Sequence, residues 1–165
     1  MPDPLRDAMA HEINASSIVV SLPSAGTVLA FDFGEKRVGV ALGELTLGVA
    51  HPLTTINEES NERRFAAVEA LIKEWQPVYL VVGLPTHMDG TEHALSALCR
   101  KFARRLEGRF AIQVALVDER LTSVAAESTL NDAGVRGRKQ KPMLDQVAAQ
   151  HILQAFLDGT PYAAP

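Results

Sequence analysis

From about residue 26 onward the chain breaks into short apolar runs punctuated by glycine and proline. Residues 28–33 read as a strand, too short for a helix and built from residue types that suit a pleated surface. Residues 37–42 follow a glycine turn as a second strand, and residues 48–55 form a weaker third. Three short strands in succession suggest an antiparallel meander. The pattern then changes period. Over residues 61–75 the apolar positions Phe65, Val68, Leu71, Ile72 and Trp75 make one helical stripe that Pro77 ends. Residues 78–82 return to strand, and after the loop from Gly83 to Gly90 a long helix is expected to about Glu107, closed by Gly108, with Leu95, Leu98, Phe102 and Leu106 facing inward. Residues 112–117 read as a fifth strand, and residues 121–131 and 142–157 as helices. This order predicts an α/β fold: a mixed five-stranded sheet, three antiparallel strands followed by alternating helices and strands, flanked by helices.

At 165 residues, the length fits one domain, with residues 1–25 as a loosely held, flexible extension and 26–160 as the folded unit. A formal net charge of -4 argues against a protein that coats nucleic acid by bulk charge, and leaves room for local basic patches. The single cysteine, Cys99, excludes an internal disulfide and a cysteine-based zinc cluster. It falls on the apolar side of its predicted helix, where a packed thiol is the ordinary expectation. No apolar stretch is long enough to span a membrane and the first residues lack the pattern of a signal peptide, so the expected location is cytoplasmic.

Candidate chemistry lies in three acidic positions far apart in the chain. Asp32 shares a strand face with Val28 and Ala30. Asp118 and Glu119 come at the carboxyl end of the fifth strand, where open α/β sheets place their chemistry, and Asp145 follows Pro142 near a helix start. Each alone has a plainer explanation: Asp32 as a cap on the turn at Gly34, Asp145 as a helix-start acid. Gathered at one point, they would hold Mg2+ or Mn2+, as two ions roughly 3.5–4 Å apart, for phosphodiester hydrolysis. Carboxylates about 4 Å apart repel by roughly 4 kcal/mol per pair at intermediate dielectric, so at least one should have a raised pKa without metal. Between the neighbours, Glu119 is favoured as ligand for its longer reach, with Asp118 as the alternative.

Basic residues surround these positions. Lys36 and Arg37 either meet substrate phosphate or are solvated turn charges, and Arg120 and Thr122 either order the edge of the site or serve local capping. Arg136, Arg138, Lys139 and Lys141 lead directly into the Asp145 helix, as a basic loop suited to clamp nucleic acid. By contrast Arg100, Lys101, Arg104 and Arg105 read as the solvated face of their helix, and Asp89 as a helix cap. The histidines show no metal-ligand spacing.

Four segments carry a resemblance: 31–41 (FDFGEKRVGVA), 82–90 (VGLPTHMDG), 118–122 (DERLT) and 141–149 (KPMLDQVAA). In this order they look like the motifs of the YqgF family, also called RuvX, over roughly residues 27–158. That resemblance implies a ribonuclease H-like fold and a nuclease: one that matures the 5′ end of pre-16S ribosomal RNA, or a Holliday junction resolvase acting on branched DNA. It implies nucleic acid as partner, no membrane, and a monomer or homodimer. Competing readings are a non-catalytic RNA-binding assembly factor on the same scaffold, and an ATP-handling protein, for which a chain with room for one domain is too short.

Overall fold

In the computed structural model, which describes residues 22–87, 89–92, 94–119 and 140–165 with the side chains of 140–142 excepted, the apolar runs pair into one sheet. β1 (Thr27–Phe33), β2 (Val38–Glu44) and β3 (Val49–Ile56) form the expected antiparallel meander. β4 (Tyr79–Leu84) lies parallel to β1 and β5 (Val114–Asp118) parallel to β4, giving the order β3-β2-β1-β4-β5. This is the mixed five-stranded, helix-flanked sheet expected from the order of the elements.

Strand alternation sorts the apolar residues into two cores. Leu29 and Phe31 of β1 face α1 (Asn61–Trp75) and α2 (Ala94–Phe110), packing with Phe65, Val68, Phe102 and Leu106. Val28 and Ala30 face α3 (Gln140–Leu157), against Ala149, Ile152, Leu153 and Phe156. β1 is thus covered on both sides. β3 is the open edge, and it tolerates Pro52, which has no N–H to donate; the β2–β3 register slips between Val40 and Ala41 beside it. The opposite edge is covered in part: Leu116 and Ala163 exchange backbone hydrogen bonds of 2.7 and 3.0 Å.

Several boundaries differ from expectation. β4 and β5 run farther toward their carboxyl ends, to Leu84 and Asp118, which brings Gly83 and Asp118 into the sheet. α2 continues through Gly108 and stops at Phe110, where Ala111 takes a left-handed φ of 54°. A helical glycine costs only about 1 kcal/mol, which the packing of Leu106 and Phe110 offsets. Leu98, expected inward, is 39% exposed. Asp89 accepts hydrogen bonds from the backbone N–H and hydroxyl of Thr91, closing a turn well before α2 begins, so it is not the cap of that helix. α1 has the expected limits: the Ser60 side chain accepts from the Arg63 N–H, and Gln76 closes the other end just before Pro77. The predicted helix over residues 121–131 and most of the amino-terminal extension lie outside the described residues. Cys99 is buried in the α2 core. Among the described residues no helix is long and apolar enough to cross a membrane.

Two devices fix the parts that matter for the site. Arg64, 2% exposed, donates to the backbone carbonyls of Glu35 and Glu58 and lies 5.2 Å from the Phe33 ring centroid, so α1 holds the turn after β1. Gln146, Gln150 and Gln154, one turn apart on α3, hydrogen-bond to Thr55, Ala50 and Gly48, which fastens α3 along β3.

Candidate active site

The carboxyl ends of the parallel strands β1, β4 and β5 converge on one edge of the sheet. Asp32 stands there near the end of β1, and Glu119 follows β5 directly, its N–H donating to the Leu84 carbonyl at 3.1 Å. Asp32 pairs in the ladder with Gly39 of β2. That glycine decides where α3 can sit: a Cβ there would fall 2.0 Å from the Asp145 carbonyl oxygen. Gly83 of β4 does the same for the other carboxylate, since a Cβ there would lie 2.5 Å from Glu119 Oε2 and 2.4 Å from Ile152 Cδ1. Neither Gly39 nor Gly83 was expected as a site residue. For Gly39 the sequence signal is a glycine within a strand run, which marks a close approach; Gly83 read as the start of a loop and gave none.

Electrostatics tie the acids together. Asp32 and Glu119 share a side-chain hydrogen bond. Burial, and then the charges of Glu119 and Asp145, hold the Asp32 carboxyl well above the usual carboxylate range. Burial likewise pushes Glu119 up to about 7, with the Asp32 hydrogen bond pulling it down and the charge of Asp118 pushing it further up. The expected raised carboxyl is therefore present, and the pair retains a proton toward neutral pH. Behind it, burial and the same two carboxylates raise the Cys99 thiol.

Asp145 lies near enough to act on Asp32, yet its Oδ2 accepts a 2.8 Å hydrogen bond from Arg37 Nε. Asp118 turns to the hydroxyl of Thr86 at 2.9 Å. Among the described residues no three His, Cys, Asp or Glu side chains converge at ligand distance. Against the expectation of one preformed cluster, then, Asp32 and Glu119 are joined and Asp145 stands beside them on its arginine. Mutual repulsion accounts for this: acids this close relieve it by sharing a proton or by pairing with the nearest guanidinium. The donor set fits a hard divalent ion, since every candidate ligand is a carboxylate oxygen and two of them, half-buried, are desolvated enough that uncompensated negative charge is costly.

A cavity of about 410 Å³ opens beside Asp145, lined by Gly34, Glu35, Lys36, Arg37 and Leu95. Lys36 is exposed at its rim, and Arg37 reaches Asp145 across it. Arg120, Thr122, Arg136, Arg138 and Lys139 lie outside the described residues, as does the side chain of Lys141.

A family model described as RuvX, Holliday junction resolvase, matches residues 26–159. A protein of Methylobacillus flagellatus named "Putative pre-16S rRNA nuclease" is 66% identical over 136 residues, 82% of this chain and 93% of that protein. A protein of the same name from Nitrosomonas eutropha is 52% identical over 160 residues, 97% and 98% of the two chains. The solved structure of Thermus thermophilus RuvC with a Holliday junction substrate aligns at a TM-score of 0.49 and 13% identity, covering 85% of this chain and 99% of that one.

Proposed function

Because the chain belongs to the RuvX family, we propose that it is a divalent-metal-dependent nuclease that hydrolyses phosphodiester bonds in the 5′ processing of pre-16S ribosomal RNA, a step of ribosome biogenesis. The observation that carries this reading is the hydrogen-bonded Asp32–Glu119 pair at the carboxyl ends of β1 and β5, the two parallel neighbours of β4, with Asp145 brought beside it by α3. Neighbouring carboxylates held in a desolvated place are costly to a fold, and a divalent cation is the partner that offsets that cost.

Asp32, Glu119 and Asp145 are the ligands in this reading, with Mg2+ or Mn2+ as the ion and a pair of ions as its full complement. When bound, such ions supply acidity to the attacking water and neutralise charge on the scissile phosphate. Asp32, fixed in the sheet between Gly39 and Gly83, anchors the site. To hold an ion, Glu119 would give up its share of the proton and Asp145 would exchange Arg37 for the metal. Arg37 and Lys36, which line the cavity beside Asp145, would then receive the phosphate of the strand being cut. The basic segment with Arg120, Arg136, Arg138, Lys139 and Lys141 supplies further grip on the backbone.

Pre-16S rRNA is preferred over branched DNA because the close full-length relatives carry that name. The test is to incubate wild type and Asp32→Asn with end-labelled single-stranded, duplex, four-way-junction and pre-16S substrates, in Mg2+, Mn2+ or EDTA. Expected is cleavage of the rRNA precursor by wild type with metal, reduced at least 100-fold by Asp32→Asn. Faster cutting of junction DNA would make it a resolvase. Binding of RNA with no cleavage in any metal would make it an assembly factor.

A further inference from the structure

A second cavity adjoins the first. It has a volume of about 110 Å³ and sits between α1 and α2, and the two meet at the Phe33–Gly34 peptide, Phe33 lining one and Gly34 the other. α2 runs past both, offering Leu95 to the first and Leu98, one turn on, to the second. The floor of the second cavity is aromatic: the Phe33 ring lies 5.0 Å from that of Phe102, and Phe65 is 5.7 Å from Phe102 on the other side. Its rim carries the exposed amide of Asn61 and two cations, Lys101 and Arg105, and among the described residues no acid lines it. Half-exposed Leu98 is apolar surface turned to the same opening.

Resting on the nuclease reading, we propose that this cavity is a nucleobase subsite. An unpaired base of the substrate strand enters it against Phe33, with its edge toward Asn61, while Lys101 and Arg105 hold the flanking phosphates. The chemistry is that of single-strand recognition: an aromatic platform, one hydrogen-bonding side chain and cations along the backbone. Lys101 and Arg105 are four residues apart and so stand side by side, one turn apart on α2, as successive phosphates along an extended strand require. A strand that leaves the carboxylates past Lys36 reaches this cavity at the next step round the 34–37 turn. The basic face of α2, which reads from sequence as plain solvated charge, thereby becomes the exit path of the strand.

The test uses fluorescently labelled single-stranded RNA on the full chain in EDTA, where nothing is cut. Lys101→Glu and Arg105→Glu should each weaken binding about tenfold and make the salt dependence shallower by about 0.7 in log-log slope. Lys73→Glu makes the same change in net charge about 18 Å along α1 from Asn61 and should have little effect. In parallel, an abasic spacer is walked through a cleavable substrate in Mg2+. At one position near the cut it should slow cleavage by wild type, and Phe33→Leu, which keeps apolar bulk without the ring, should show no such penalty. Equal loss in all three charge variants, or the absence of any sensitive position, would overturn the subsite while cleavage by wild type leaves the nuclease standing. Neither binding nor cleavage by wild type would overturn both.

Discussion

Glu119 shows how much of the site is a matter of one proton. Its folded carboxyl titrates at about 7, against an ordinary 4.5, so between those values the folded chain holds a proton that the unfolded chain has lost. The stabilisation from that proton is complete below about 4.5 and disappears as pH rises through about 7, and Asp32 works in the same direction. In EDTA the thermal midpoint should therefore fall between pH 5 and pH 8. Glu119→Gln should raise it at pH 8 and flatten the curve, by on the order of 1–3 kcal/mol. Millimolar Mg2+ should restore the wild type at pH 8 and do little for the variant. A wild-type curve as flat as that of Glu119→Gln would refute this. At this scale the sequence was partly legible. Strand alternation placed Asp32 on its face, and chain position placed Asp118 and Glu119 at a strand end. The hold of Arg37 on Asp145 joins residues 108 apart in the chain, and no local pattern reports a pair of that kind.

Elements were legible where a stop signal agreed with the hydrophobic period. Ser60 and Pro77 bracket α1, and its limits are those expected. Gly108 signalled a stop that packing overrode, and the edges of β4 and β5 moved because their pairing with one another continues past the apolar run. What the period could not show is how closely α3 approaches β2. Gly39 sets that distance, and its neighbours on the helix are the carbonyl group and Cβ of Asp145, with no flexible side-chain end to give way. Gly39→Ala should lift the start of α3 and carry Asp145 away from Asp32, costing about 1–3 kcal/mol in denaturant unfolding and most of the cleavage activity. If the variant is destabilised and still cuts at the wild-type rate, the position of Asp145 does not matter to the reaction. The ladder of Gln146, Gln150 and Gln154 fastens α3 to β3 beyond this point, so the displacement is confined to the first turns.

For the molecule as a whole, the hydrophobic pattern sufficed for the sheet and its two coverings, because burial of alternate faces is a property of each strand. The proposed site was legible only as three separate acids, because these come from distant segments: β1, the end of β5 and α3. α3 is also one of the two coverings, burying Val28, Ala30, Val81 and Val117. A chain stopped at residue 139 should therefore expose that apolar face, show increased binding of a hydrophobic dye, and cleave no substrate; cleavage by the shortened chain would remove Asp145 from the chemistry. The order of the elements then has a consequence during translation. Two of the three proposed ligands leave the ribosome with the sheet and the third comes only with α3, so on the proposed reading the nascent chain stays inert until that helix has been made and docked.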